Sequence, residues 1–534
     1  MQAELETLNS PISQPLTVYQ NVFTLGSRFW LKWFFTVSFL LVIYASIVPI
    51  APYLHMDEFM IVDLGRVILH PESKWSITWM TESEQPVFVI FYIGPVLQEF
   101  AFGALGEFGP RIIGIIAAIL SATLVVKWLL LKGTLPNVAF LLGLVFLLDP
   151  LFVQSYTMGR VDGWTIASCV AACICLKSIR IHFLLEMEGK VLVCLAGFFM
   201  ALSFMIWPSA VFLFPLILSE LYLLMVKCQT ENKSWRKSGV VLALFAGSAA
   251  LSLILLLLPI LPQLLAQMDN IIAGFKVNTQ SGSGAIKSNY ERWILPVVDL
   301  LRNLKYTPIL FAVALIALVR KRNLELLLAL SVATILMLGT VVYIHRVLYL
   351  LPYFIVCVAG LHCINGAHKV VGWFNRLSLS LLVFWAVFLS VIVRFGMAEY
   401  KPAERDRNLL YKAGDSMIGK GNYTVLTPFE FYYTGRALGW KMYAPYLSVG
   451  QSFTSNELNK ILPHVQYAIL EKWRLTPEFT KTLAEQGMQD KGWYKVYNEY
   501  IEKFDGITTN TTRMRNLYSI HRHPYGPYKL FVKN

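Results

Sequence analysis

No cysteine follows residue 363 in this chain of 534 residues, and only seven occur in all. The hydrophilic C-terminal region therefore holds no disulfide framework, whichever side of a membrane it faces. Cys169, Cys173, Cys175, Cys194, Cys357 and Cys363 lie in apolar runs, and Cys228 sits beside a lysine in a basic stretch. Cys173 and Cys175 are too close together for a zinc site and read as small core residues. Charge is scarce too, at 15% of residues. The Gly- and Ser-rich stretch NTQSGSGAIKSNYERW lacks a Gly-Lys-Ser ending, which excludes a P-loop. No internal repeat indicates a transporter of two pseudo-symmetric halves. The net charge of +13 would point to nucleic acid in a soluble chain, but here the bases fall in short loops between apolar runs, so no nucleic-acid partner is implied.

What the sequence has in abundance is apolar length. Hydrophobic residues make up 56% of the chain and the mean hydropathy is +0.55. Runs long enough to cross about 30 Å of hydrocarbon recur from Leu31 to Phe395. The first follows Arg28 and Lys32 and lacks a small-residue cleavage site, so it reads as a retained signal-anchor. The run at residues 87–103, VFVIFYIGPVLQEFAFG, decides the orientation of everything after it. It contains Pro95, Gln98 and Glu99, which suits a helix lying against the outer interface. If it does not cross, Lys127 and Lys132, Lys177 and Arg180, the cluster from Lys227 to Lys237, the triplet Arg320 to Arg322, and Lys369 with Arg376 all fall on the N-terminal side, as the positive-inside rule requires.

The expected architecture is an all-α polytopic membrane protein with eleven spans, near residues 31–51, 111–131, 136–151, 163–179, 190–207, 209–226, 239–261, 307–319, 324–343, 347–365 and 374–395. The N-terminal segment 1–30 is cytoplasmic in this reading. Outer loops cover 52–110, with juxtamembrane helices, and 263–306. Residues 396–534 form a small extracytoplasmic α/β domain, inferred from short apolar runs such as YTVLTP and VQYAILE between helix-like stretches. A plasma or inner membrane is the expected location.

Polar residues gather at the outer ends of these spans. They are the adjacent carboxylates Asp57 and Glu58, then Glu84, the pair Arg160 and Asp162 in YTMGRVDGW, and His345 with Arg346 in VVYIHRVLYLLP. Singly, each reads as a helix cap or an interface anchor; as a set on one face they read as functional. A carboxylate there can act as general base toward a hydroxyl or amine, while arginines hold a lipid-linked phosphate as leaving group. Glycosyl transfer from a polyprenyl phosphate needs that combination. A transporter or lipid flippase would instead carry its charges near the bilayer midplane on broken helices, and a non-catalytic assembly subunit would not depend on Asp57.

The ordered motifs from residue 30 to 365 resemble a known group. An Asp-Glu pair after the first span, ESEQPVFVIFYIGPVLQEFAFG, then FGPRIIGIIAAIL, GRVDGWTIA and HRVLYLLPYF are similar, in that order, to the protein O-mannosyltransferase and lipid A aminoarabinose transferase group of C-type glycosyltransferases. The resemblance implies that Asp57 is the catalytic carboxylate, Glu58 its partner and Asp162 a second functional aspartate. It implies that Glu84 lies at the acceptor or donor pocket and that Arg111 is a helix-start arginine of the substrate site. It also implies inversion at the anomeric carbon. Gln85 stands where the aminoarabinose transferases carry a lysine, and EQP replaces the mannosyltransferases' His-Pro-Pro.

Lesser marks have two readings each. His55 is an interfacial anchor or a neighbour that tunes Asp57, and Trp75, Trp79 and Trp164 stack on sugars or line the membrane interface. Asn422 and Asn510 fit glycosylation sequons. Asp57 and Glu58 offer oxygen ligands to a divalent cation, but two adjacent carboxylates alone do not make a site, so the metal stays open. The expected partners are the bilayer, a polyprenyl-phosphate sugar donor, and a glycan, lipid or protein acceptor.

Overall fold

The computed structural model describes residues 27–47, 56–73, 75–80, 85–182, 187–232, 235–269, 271–272, 294–321, 323–340, 342–362, 369–399, 406–444, 446–447, 451–452, 455–472, 475–496 and 525–533. The first helix, Ser27–Ile47, shows how the apolar surplus is used. Trp33, Val37, Leu40, Tyr44 and Ile47 form a buried stripe at helical spacing, yet Leu31 and Phe35 on the other faces are 70% and 76% exposed. A helix apolar all round with only one face covered by protein is solvated by hydrocarbon on the rest.

Among the described residues six helices are long and apolar enough to cross a membrane, or up to eight if each of two bent pairs is one span. The protein is an integral, multi-pass membrane protein. Of the eleven spans expected from the sequence, each range overlaps a helix where it is described, but six to eight are long and apolar enough to cross, and the range 209–226 begins in a 3-10 turn at Pro208–Phe212 before Phe214–Asn232. Pro136–Leu147 and Pro150–Thr157 meet at 56°, where the Asp149 carboxylate accepts the Leu151 N–H at 3.0 Å and the Thr307 hydroxyl at 2.6 Å. The bend is thus satisfied internally, as lipid surroundings require.

Residues 87–103 resolve into a helix, Ile93–Leu105, distinct from the next one, Gly109–Leu131. Gly106 between them has φ 69°, and a Cβ on Gly109 would lie 2.0 Å from the Ala101 carbonyl oxygen. The chain therefore folds back there rather than running on as one rod. Ile93–Leu105 also packs on Met56–Leu69 with no room to spare: a Cβ on Gly65 would come within 2.1 Å of the Pro95 carbonyl oxygen.

Nine short strands occur among the described residues: β1 (Trp79–Met80), β2 (Gln85–Pro86), β3 (Thr424–Leu426), β4 (Lys441–Tyr443), β5 (Tyr446–Leu447), β6 (Gln451–Ser452), β7 (Tyr467–Glu471), β8 (Met488–Tyr494) and β9 (Tyr528–Lys533). Five make a mixed sheet in the order β4-β3-β7-β9-β8, with β3 parallel to both neighbours and β9 antiparallel to both of its own. Helices between β3, β4 and β7 supply the parallel crossovers, so the expected α/β character is observed. Phe59, Val62 and Ile77 join the core beneath this sheet, alongside Tyr432, Tyr433 and Trp440. The helix Met56–Leu69 is thus shared between the membrane helices and the C-terminal domain, and that places the site.

Candidate active site

Asp57 and Glu58 occupy the first turn of Met56–Leu69. Adjacent helical residues project about 100° apart, so the two carboxylates enter different surroundings. Asp57 pairs with the Arg160 guanidinium through Nη1, and its Oδ2 lies 3.6 Å from His345 Nε2. Its side chain is 21% exposed. Glu58 is fully buried: Arg111 grips it through Nη2 at 2.7 Å and Nε at 3.1 Å, and the Tyr433 hydroxyl donates at 3.2 Å.

Arg160 reaches Asp57 because of a local turn. After the helix Pro150–Thr157, the Arg160 N–H donates to the Ser155 carbonyl and the Gly159 N–H to that of Tyr156, with Gly159 at φ 66°. This is a Schellman ending, which needs a left-handed residue and therefore favours glycine. The turn sets Arg160 two residues before the next helix, Asp162–His182, and its Nε donates to Asp162 Oδ2 at 2.7 Å. Asp162, fully buried, also accepts Ser155 Oγ at 2.6 Å and the Tyr349 hydroxyl at 2.7 Å. Burial alone would lower the Arg160 pKa, but Asp162 and Asp57 outweigh it and raise it, so the guanidinium stays charged.

The structure thus brings together Asp57, Arg160, Asp162 and His345, and assembles Glu58 with Arg111 next door. Arg346 is half-buried with its guanidinium 5.6 Å from the Tyr343 ring centroid and within electrostatic reach of Arg160. Glu84 and His55 lie outside the described residues.

Asp63, Arg66, Glu99, Tyr349 and Arg436 were not among the residues that the sequence marked as functional. Asp63 accepts Arg66 at 2.9 Å, the Ile77 N–H at 3.1 Å, Ser76 Oγ and, at 3.2 Å, the Tyr432 hydroxyl, while Arg66 also covers the Trp75 ring at 3.6 Å. Glu99 takes Arg436 through both nitrogens, at 2.8 and 3.0 Å. Tyr349 lies inside the HRVLYLLP motif and could have been singled out there. Arg436 could not, because its partner is distant in sequence and nothing local marks it.

The two ends of the helices differ in charge. Lys132, at the end of Gly109–Leu131, pairs at 2.5 Å with Glu220, which Arg180 reaches at 3.2 Å. At about 1.5 Å rise per residue this basic cluster is some 27–31 Å from Arg111 and Asp162, which begin the same helices. That is one hydrocarbon thickness. A furrow of about 360 Å³ beside Lys190, Cys194 and Leu251 also lies at the far end of its helix, away from the carboxylates. Among the described residues no group of three or more His, Cys, Asp or Glu could hold a metal ion.

No family model matches this chain, and no curated protein is similar to it in sequence. Solved structures are similar in fold. ArnT from Cupriavidus metallidurans bound to undecaprenyl phosphate superposes with a TM-score of 0.57 at 10% identity, over 88% of this chain and 96% of that one. The apo form of the same protein gives 0.54 at 11%, over 85% and 95%. The archaeal oligosaccharyltransferase AglB from Archaeoglobus fulgidus, with an inhibitory peptide and a dolichol-phosphate, gives 0.49 at 15%, over 88% and 74%. The chain carries the C-type glycosyltransferase fold seen in ArnT.

Proposed function

We propose that the protein is an inverting glycosyltransferase that moves a sugar from a polyprenyl-phosphate-linked donor to an acceptor at the outer face of the membrane. The observation that carries this reading is the exposure of Asp57. Of the three buried or half-buried carboxylates at the site, it alone is open, at 21%, while Glu58 and Asp162 are sealed at 0% by their partners. The fold supports it, since the ArnT structure of the same fold holds undecaprenyl phosphate.

In this mechanism Asp57 takes the proton of the acceptor hydroxyl or amine as that atom bonds to the anomeric carbon. The bond from the anomeric carbon to the phosphate oxygen breaks, and its electron pair leaves with the polyprenyl phosphate. Arg346 and His345 hold that phosphate, because Arg160 is committed to Asp57 and Asp162. Asp162, Ser155 and Tyr349 orient Arg160, and Glu58 with Arg111 fixes the turn that carries Asp57.

The test has two arms. Lipid extracts of cells lacking the protein should accumulate one polyprenyl-phosphate-linked sugar. Purified protein in nanodiscs, offered a panel of polyprenyl-phosphate-linked hexoses and pentoses, should release polyprenyl phosphate from that same species. No accumulation and no release from any of the panel would remove the reading.

A further inference from the structure

Arg407 opens the first helix of the C-terminal domain, Asn408–Met417, yet its guanidinium is buried against the helix that carries Asp57. Nη2 lies 3.8 Å from Glu58 Oε1, the same oxygen that accepts the Tyr433 hydroxyl. Nη1 lies 3.6 Å from Glu107 Oε2 and donates to the Glu107 carbonyl at 3.4 Å. The guanidinium covers the Phe108 ring at 4.8 Å. Burial and the neighbouring Arg111 both lower its pKa, and Glu58 and Glu107 oppose them. Two guanidiniums thus share this pocket with two carboxylates, and each is needed for the charges to balance.

We infer that Arg407 is a positioning residue for the transfer reaction: by facing Glu58 with a buried charge from the C-terminal domain, at 3.8 Å and without a hydrogen bond, it helps set the rotation of the first turn of Met56–Leu69 and with it the aim of Asp57. This rests on Asp57 being the base. The two carboxylates share one turn, so relaxation of Glu58 turns Asp57 as well. At a side-chain radius of about 6 Å, a turn of about 20° moves its carboxylate by about 2 Å. A displacement of 1 Å at a reacting group costs up to roughly 10²-fold in rate. Three further contacts hold the same helix pair from the same domain, Tyr433 to Glu58, Tyr432 to Asp63 and Arg436 to Glu99. Arg407 differs from the last two in facing the residue next to Asp57, and from Tyr433 in bringing a charge to it.

The experiment uses the full chain in nanodiscs with whichever polyprenyl-phosphate-linked sugar scores in the panel above. Arg407→Gln should lower kcat on the order of 10-fold to 10²-fold with KM for that donor within about 2-fold, because the donor's contacts are untouched. Arg407→Lys should recover part of the loss. Glu58→Gln combined with Arg407→Gln should be no slower than the slower single variant, since both act through one contact. Amide hydrogen exchange, which needs no substrate, should rise across residues 57–62 in Arg407→Gln while β7 and β9 stay protected. Losses that multiply in the double variant, or faster exchange in β7 and β9 with kcat per folded molecule unchanged, would make Arg407 a domain anchor only and overturn the inference. If Asp57→Asn kept its turnover, the base assignment would fail, and the exchange measurement would still decide whether Arg407 controls that turn.

Discussion

Asp57 and Asp162 are held by one guanidinium: Arg160 gives Nη1 to the first and Nε to the second. Asp162 is fully buried and Arg160 nearly so, and removing a buried cation leaves an uncompensated charge. Arg160→Met should therefore destabilise the protein by about 3–5 kcal/mol, read as a lower thermal midpoint in detergent. Arg160→Lys should fold better but stay impaired in turnover, because a single ammonium does not present two edges to two carboxylates. A thermal midpoint for Arg160→Met equal to that of the parent protein would mean that Asp162 finds another cation.

Asp57→Asn keeps the shape of the side chain and removes the base. The expected loss in transfer rate is on the order of 10²-fold or more, with the thermal midpoint held. The separation of the two readouts matters, since Asp57 also pairs with Arg160. Parental turnover in this variant would move the proton transfer to His345, whose Nε2 is 3.6 Å away.

The Asp57 region shows where the sequence was legible and where it was not. Apolar length alone marked the helices, because a span must satisfy its backbone within itself and so announces its extent locally. Arg160, Asp162 and His345 were visible because each opens or precedes an apolar run, where a charge stands out, and Arg111 was marked by the family resemblance alone. Their pairing was not visible: Asp57 and Glu58 look equivalent as neighbours, and only the helix geometry sends one toward Arg160 and the other toward Arg111. Arg407, Tyr433 and Arg436 lie in a polar tail where charges and aromatics are ordinary, and these partners are 300 or more residues away. A long-range pair of that kind leaves no local pattern.

Arg346→Ala should weaken the donor's apparent affinity more than turnover. A guanidinium that grips the phosphate equally in ground and transition states contributes uniform binding, so its loss appears in KM. The magnitude expected is about 10-fold, the worth of one charge-assisted contact of about 1.5 kcal/mol. Titration with the polyprenyl-phosphate-linked donor at fixed acceptor measures it. An unchanged KM would remove Arg346 from the phosphate and leave His345 as its contact.

Gly65→Ala tests the packing of the two helices beneath the site. The added methyl would meet the Pro95 carbonyl carbon at 2.6 Å and its oxygen at 2.1 Å, and backbone cannot step aside as a side chain can. Overpacking of this kind costs about 1–3 kcal/mol. Met56–Leu69 and Ile93–Leu105 should separate, loosening the Glu99 to Arg436 contact at 2.8 Å as well. A lower thermal midpoint with reduced turnover is expected; a neutral outcome would mean the helices slide without consequence for Asp57.

The last prediction concerns the two faces of the membrane. The helices Gly109–Leu131 and Asp162–His182 are 23 and 21 residues long, about 34 and 31 Å, and each begins at the carboxylate site and ends at the basic cluster around Glu220. Those lengths match the hydrocarbon core, so the site and the cluster belong to opposite surfaces. Lysine and arginine accumulate on the cytoplasmic side, so we expect Asp57, Glu107 and the C-terminal domain on the outer side. A cysteine at Leu105, which is 52% exposed, should react with an impermeant maleimide in intact cells, as should one in the C-terminal domain at Trp493, 45% exposed. A cysteine at Trp235, 73% exposed, should react only after permeabilisation. The reverse pattern would place the site in the cytoplasm, where a soluble activated sugar could reach Asp57 and the lipid-linked donor would no longer be required.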